Sequence, residues 1–267
     1  MASESKRPTT HWLRRLELYI WGVVIVLAAL PMTVIIPLFI TRRFTQRFRD
    51  ERRLARWHGM IGWAHFTLRW LLRVKLDVRG PSQEELGERG FLYISNHQSF
   101  IDIPVLIASL GTVAFLAKRE VRRYPVLGTC AYCGGSVFVD RGATEDRQRA
   151  LADVMRMCQE STAVVVFPEG KRSRDGALLE KVHFASMREA YALGLPVVPV
   201  ALHGTINIMP SSLDRIRRGQ RVAVRIGTAV DPAVFDDSEA YARASWERVG
   251  QLHQEAREWV EGDSAAV

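Results

Sequence analysis

Three cysteines in 267 residues are too few for a disulfide framework. Cys130 and Cys133 form a C-x-x-C, but Cys158 is the only other thiol, which excludes a four-thiolate zinc site within one chain. The pair also lacks the strand–motif–helix setting of a redox dithiol. Gly134-Gly135 and Val137-Phe138-Val139 read instead as a turn into a strand, with half-buried thiols beside it. No G-x-S-x-G elbow occurs anywhere, which counts against a serine hydrolase. Internal repeats and long low-complexity segments are absent too. From residue 18 to residue 40 there is no charge of either sign.

That charge-free run is 23 residues long, enough to cross a hydrocarbon core of about 30 Å. Trp12, Tyr19 and Trp21 stand where interfacial aromatics belong. The run is too long for a signal peptide, has no small-residue cleavage site and is followed by dense arginine. Pro31 and Pro37 would kink a helix here, so spanning the bilayer, dipping into one leaflet and a buried soluble helix all stay open. Arg42, Arg43, Arg47, Arg49, Arg52, Arg53 and Arg56 follow, diluted only by Asp50 and Glu51. They read as cytoplasmic and suit anionic headgroups. The basic N-terminal flank, with Lys6, Arg7, Arg14 and Arg15, favours a hairpin with both ends on one side. Residues 57–72 are apolar and aromatic but carry His58, His65 and Arg69, and so read as an amphipathic, interfacial second helix. The two histidines share a face without a third ligand, which fits the interface better than a metal. Over the whole chain 37 Lys and Arg outnumber 29 Asp and Glu, a net charge of +8 that admits anionic lipid, phosphorylated substrates or nucleic acid as partners.

Past Gly80-Pro81 the pattern changes. Strand-like runs at 91–95, 113–117, 137–139, 163–167, 197–202 and 222–226 alternate with helix-like runs at 103–110, 144–159 and 184–193. Such alternation predicts an α/β fold with a largely buried mixed sheet flanked by helices. Two segments are expected: an N-terminal membrane-associated helical segment over 1–79 and an α/β domain over 80–267. Residues 236–261 read as an amphipathic closing helix.

Within this domain one stretch stands out, Asn96-His97-Gln98-Ser99-Phe100-Ile101-Asp102-Ile103-Pro104. It joins a strand to a helix, with Asp102 or Ser99 as the expected N-cap. Five residues apart on one helix, His97 and Asp102 would diverge, whereas across a strand–loop–helix corner they can meet. A carboxylate accepting from one imidazole nitrogen leaves the other free as a base. The plainer reading is that Asp102 caps the helix and His97 sits in a loop.

Lys118-Arg119-Glu120, Asp140-Arg141 and Phe167-Pro168-Glu169-Gly170-Lys171-Arg172-Ser173-Arg174 all fall at ends of predicted strands. An α/β sheet usually builds its site there. Together their cations suit an anion, and an arginine fork suits phosphate. Glu169, in a tight turn, is placed to accept from loop amides or from an acceptor hydroxyl, or to neutralise the arginines. His203 reads as a loop histidine. Pro196 and Pro199 suggest that the strand at 197–202 is an edge or carries a bulge.

These residues carry a family resemblance. Asn96-His97-x4-Asp102 resembles the signature of the glycerolipid acyltransferases, the group containing the 1-acylglycerol-3-phosphate acyltransferases. Lys118-Arg119-Glu120 with Pro125 and Gly128 is similar to the family's second block, and Gly135-x4-Asp140-Arg141 to a linking segment. Phe167-Pro168-Glu169-Gly170-x-Arg172-Ser173 resembles the third block and Val198-Pro199-Val200 the fourth, in order over residues 90–205. The resemblance implies that His97 is the catalytic base and Asp102 its partner. It implies that Lys118, Arg141, Glu169, Gly170 and Arg172 bind the acceptor's glycerol phosphate. The implied reaction moves an acyl group from acyl-CoA or acyl carrier protein to the sn-2 hydroxyl of 1-acylglycerol 3-phosphate, giving phosphatidic acid for phospholipid biosynthesis. No metal or further cofactor and no nucleic acid are implied. The implied partners are a lysophospholipid, the acyl thioester and membrane lipids, at a cell inner membrane with the domain on the cytoplasmic side. Lys171 replaces a common Thr, and Glu180-Lys181-Val182-His183-Phe184 lacks the small Gly often found before the Phe. Both departures bear on the acceptor, since relatives acylate other lysolipids. A basic, membrane-tethered binding module without chemistry would account for the arginines but not for the His97–Asp102 corner.

Overall fold

In β2 (Leu92–Ser95) every residue is buried, and so is every residue of β5 (Ala163–Val166) and β6 (Val197–His203). Continuous apolar runs of this length are what strands covered on both faces require. The computed structural model describes residues 11–30, 49–87, 90–123, 128, 131–132, 134–212 and 215–262. Its seven strands form one sheet. The four others are β1 (Lys75–Arg79), β3 (Val113–Lys118), β4 (Val137–Val139) and β7 (Arg221–Ile226). Their order is β1-β7-β6-β2-β5-β3-β4. β6, β2, β5, β3 and β4 run parallel; β7 is antiparallel to β6 and parallel to β1. The expected mixed α/β sheet is therefore present, with β1 an edge strand that the apolar pattern did not announce.

The helices are α1 (His11–Leu30), α2 (Arg49–Phe66), α3 (Gln83–Leu86), α4 (Asp102–Leu110), α5 (Thr144–Gln159), α6 (Ala185–Ala192), α7 (Thr205–Ile208) and α8 (Ser238–Gly262). α8 lies across β6 and β7 and against α6, α2 packs on α4, and α5 packs on β4 and β5. Leu92, Ile94, Leu106, Ile107, Leu202 and Tyr241 are fully buried in the shared core. Burial of such a side chain is worth about 1.5–3 kcal/mol.

β6 excludes the edge alternative and keeps the bulge: beyond Val200↔Ile226 the pairing resumes at Val197↔Val230, one residue out of register. Despite its prolines it is an interior strand between β7 and β2. Pro199 pairs with Ile94 in β2, and its C=O accepts from Gly227 N–H at 2.8 Å, while the ladder to β7 begins only at Val200. The N–H and C=O of one strand residue point the same way, so the missing donor falls just beyond the β7 ladder.

The N-terminal helices pack on the domain with one face and leave another exposed. Met60, Trp63 and Ala64 of α2, Leu68 of its π-helical continuation Thr67–Leu71, and Leu72 just beyond it are buried against the core, while Phe66 and Trp70 are exposed. α1 is tied on by the Trp63 indole N–H donating to Ile25 C=O at 3.2 Å and by the Arg218 guanidinium 4.7 Å over the Trp21 ring. Among the described residues no helix is long and apolar enough to cross a membrane. Residues 31–48, which hold the end of the charge-free run with Pro31 and Pro37 and then Arg42, Arg43 and Arg47, lie outside the described residues, as do Cys130 and Cys133. Cys158 is buried, and burial pushes its thiol up to about 12, so it behaves as a core side chain.

Replacing Leu106 by Ala should cost about 2–5 kcal/mol through lost burial and the cavity left behind. Val234→Ala, at a side chain 74% exposed, should stay within about 0.5 kcal/mol of the parent. Denaturant midpoints of the two variants check this, and equal shifts would contradict the burial assigned to Leu106.

Candidate active site

The site is built where β2 ends between β5 and β6. Asn96 continues the ladder with its side chain: its amide N–H donates to Leu202 C=O and its amide oxygen accepts from Leu202 N–H, both at 2.9 Å. This pins the corner after β2 to the end of β6. On the other side Phe167, just past β5, stacks on the His97 ring with centroids 4.1 Å apart and planes 17° from parallel. The imidazole is thus held in one orientation, with 17% of its side chain open to solvent.

His97 Nδ1 lies 2.6 Å from Asp102 Oδ2. Asp102 opens α4 and is fully buried, so its carboxylate needs donors. Oδ2 also accepts from the backbone N–H of Gln98 at 2.6 Å and of Ser99 at 2.9 Å, and Oδ1 accepts from the Thr205 hydroxyl. The expected N-cap at Asp102 or Ser99 does not form. Ile101 occupies the cap, and Asp102 turns back from the first helical position to bind the loop that precedes it. Ser99 Oγ accepts from Ile101 N–H at 3.2 Å and donates to Met209 C=O at 2.6 Å. A carboxylate oxygen that already accepts from two amides makes Nδ1 the donor of this pair. Among the described residues Nε2 has no partner, so its lone pair faces outward.

Glu169 is buried, and both its oxygens are engaged: Oε2 accepts from His97 N–H and Oε1 from Leu179 N–H, each at 2.7 Å. Burial pushes its carboxyl up to about 7, and the two amides hold it down in part. Ser173 N–H donates to His97 C=O at 2.8 Å, so the segment after β5 clasps the His97 backbone twice. Gly170 has φ +67°, the left-handed region, where an L side chain would be strained. Its C=O accepts from the Arg141 guanidinium.

The cations are distributed unevenly. The Arg172 guanidinium lies 4.1 Å over the Phe100 ring, and its Nη1 is buried without a hydrogen-bond partner. Burial lowers its pKa and the Asp102 charge offsets part of that, so the group stays charged. Lys118 is half-exposed and paired with Glu120 at 3.1 Å. Arg119 is committed to Asp140 at 3.3 Å and Asp146 at 2.7 Å. His203 is not a loop residue: it ends β6, is buried, and meets His253 of α8. Thr205, Gln98 and His253 were missed by sequence reasoning. Thr205 follows the left-handed Gly204, which marks a turn but no partner; His253 is a lone histidine on an amphipathic helix. A cleft of about 450 Å³ lined by Arg79, Arg225, Arg248 and Trp259 lies at the β1–β7 edge, across β6 from His97. Its buried Arg225 is already paired with Asp77 at 2.8 Å.

Comparison with known proteins gives four findings. A family model described as Acyltransferase matches residues 75–203. The chain is similar to the chloroplastic 1-acyl-sn-glycerol-3-phosphate acyltransferase BAT2 of Brassica napus, 32% identical over 71% of this chain and 54% of that one. It is also similar to the lyso-ornithine lipid O-acyltransferase of Brucella abortus, 32% identical over 62% of this chain and 72% of that one. The chain thus spans about half the length of the plant relative. Among solved structures, the 1-acyl-sn-glycerophosphate acyltransferase of Thermotoga maritima superposes with a TM-score of 0.76 at 27% identity, over 94% of this chain and 98% of that one.

The buried Glu169 should show itself in the pH dependence of stability. Its carboxyl is raised from 4.5 to about 7 in the folded state, so the folded chain binds the extra proton between those values. Stability from this group is then present below about pH 4.5 and falls as pH rises towards 7, by at most about 1.4 kcal/mol per unit. Glu169→Gln should flatten that slope. Denaturant midpoints at pH 5 and pH 8 measure it, and parallel slopes in parent and variant would contradict the burial cost.

Proposed function

The chain belongs to the acyltransferase family, and from that premise we propose that it transfers a fatty acyl group from an acyl thioester to the sn-2 hydroxyl of 1-acyl-sn-glycerol 3-phosphate, giving phosphatidic acid. The observation that carries this is the His97–Asp102 pair, 2.6 Å apart with Nε2 left open. Nε2 takes the proton from the acceptor hydroxyl as that oxygen attacks the thioester carbonyl carbon. The tetrahedral intermediate collapses, the C–S bond breaks, and the imidazolium returns its proton to the leaving thiolate. The products are an ester and a free thiol, and no covalent enzyme intermediate forms. Asp102 holds the ring in the required tautomer and stabilises the imidazolium. Acyl-CoA and acyl carrier protein both satisfy the chemistry as donors.

Arg172 is the phosphate ligand we favour, because its buried Nη1 lacks a partner and an anion would supply one. Arg141 is half-engaged through Gly170, and Lys118 would have to leave Glu120 to take part. Glu169 and Gly170 serve the site through the backbone, the first by clasping His97 and the second by placing Arg141. The lysolipid and its product live in a leaflet. The exposed Leu16, Tyr19, Ile20, Val23 and Leu27 of α1 supply an apolar face to meet that leaflet, with the domain on the cytoplasmic side. A second acceptor has a specific observation behind it. The match to the lyso-ornithine lipid O-acyltransferase covers 72% of that relative, against 54% for the plant enzyme. A lyso-ornithine lipid therefore belongs beside 1-acylglycerol 3-phosphate in the assay.

With labelled acyl thioester and both lysolipids, His97→Ala should lower kcat by about 10²–10⁴-fold while melting like the parent. Unchanged turnover in that folded variant removes the mechanism. Arg172→Ala should raise the KM for a phosphate-bearing acceptor about 10-fold or more with kcat little changed. A KM equal to the parent's frees Arg172 from the phosphate.

A further inference from the structure

We propose that Thr205 and Gln98 are positioning residues for the His97–Asp102 pair, held in turn by the buried histidines 203 and 253. The inference deepens the acyl-transfer reading and rests on it. Thr205 and Gln98 are both fully buried. Oδ2 of Asp102 receives three donors, His97 and two backbone amides, whereas Oδ1 receives only the Thr205 hydroxyl among the described residues. That hydroxyl has one proton. Gln98 Oε1, at 3.4 Å, competes for it poorly against the charged and closer carboxylate. Thr205 therefore decides how the carboxylate plane is turned, and the plane decides where Nε2 of His97 points.

Gln98 is the next link through its backbone: its N–H donates to Asp102 Oδ2 at 2.6 Å, and its side chain anchors that stretch of loop. Its amide nitrogen donates to Gly176 C=O at 2.8 Å, and its second N–H faces His203 Nδ1 at 3.2 Å and His253 Nε2 at 3.4 Å. The flipped amide would set its oxygen against the Gly176 carbonyl, so one orientation survives. An amide N–H can aim at His203 Nδ1 only if that nitrogen is unprotonated, which is the neutral tautomer that turns Nε2–H towards Glu261. Burial, and next the neighbouring His253 ring, hold His203 down to about 4, while Glu261, 3.6 Å from its Nε2, opposes them weakly. Burial likewise lowers His253, with Arg257 adding to the effect. His253 Nε2 reaches Gly176 C=O at 3.1 Å and His203 Nδ1 at 3.2 Å, so α8 closes the chain. The polar links run from the catalytic carboxylate through β6 and α7 to the C-terminal helix. Neither histidine touches the reacting atoms.

Thr205→Val removes the hydroxyl and nearly keeps the shape. With Oδ1 left without its donor, the carboxylate binds a proton, or an imidazolium, more tightly. We expect kcat to fall about 10- to 100-fold with KM for acceptor and thioester within about twofold. The acid limb of the kcat/KM profile should move to higher pH by about one unit. Thr205→Ser should recover most of kcat and return the limb. A folded Thr205→Val with the parent's kcat and limb overturns the proposal. So does a kcat loss without a limb shift that Thr205→Ser fails to recover, because that is damage and not positioning. Should Thr205→Val not fold, Gln98→Met carries the test: a smaller loss and a shift in the same direction support the proposal, and parent-like behaviour overturns it. Parent and His97→Ala are run alongside. A parent inactive on every lysolipid sinks the acyl-transfer reading, whereas an active parent with a parent-like Thr205→Val sinks only the positioning role.

Discussion

A carboxylate with no exposure to water needs hydrogen-bond donors, and Asp102 has four, drawn from two distant parts of the chain. The His97 ring, two amides of the loop before α4 and a hydroxyl from beyond β6 must all arrive together. The position of Asp102 at the start of α4 adds the favourable end of the helix dipole. Most of the local geometry follows from that requirement. The loop from His97 to Ile101 curls back on Asp102 because its amides are needed there, and the cap passes to Ile101 as a consequence.

The sheet supplies the precision. β2 is flanked by β5 and β6, so whatever leaves its C-terminal end is bracketed by whatever leaves theirs. Asn96 laces the corner to β6 through two hydrogen bonds, while Phe167, Glu169 and Ser173 grip His97 by ring, N–H and C=O. Glu169 is the costly member of this set. It is a buried carboxylate used as a clasp, and the two amides it binds are what make that tolerable. The same clasp places Arg172 beside Phe100 with a buried nitrogen unpaired, an arrangement that suits an incoming anion better than the empty site.

The basic surplus of the chain is divided among unlike tasks. Arg119, Arg156 and Arg225 are spent on acidic neighbours, and Arg218 and Arg172 lie over aromatic rings. The exposed pairs of Arg119 and Arg156 contribute little to stability.

The amino-acid sequence by itself determined the kind of fold and the meeting of His97 with Asp102 across a corner. Strand and helix periodicity are local, and α5 falls at the residues its pattern predicted, 144–159. The spacing of His97 and Asp102 across a strand–helix junction is likewise local. What the chain order alone could not decide was anything that depends on which strands become neighbours. Pro199 looked like an edge signal and sits inside the sheet, because β7 starts its ladder one residue later. The aromatic second helix, expected at an interface, buries one face on the core and leaves Phe66 and the following Trp70 exposed. Thr205 and His253 are 103 and 155 residues from Asp102 and Gln98, the groups they meet. Such contacts arise only when the β2–β6 pairing and the seating of α8 bring distant backbone together, and no periodicity encodes them.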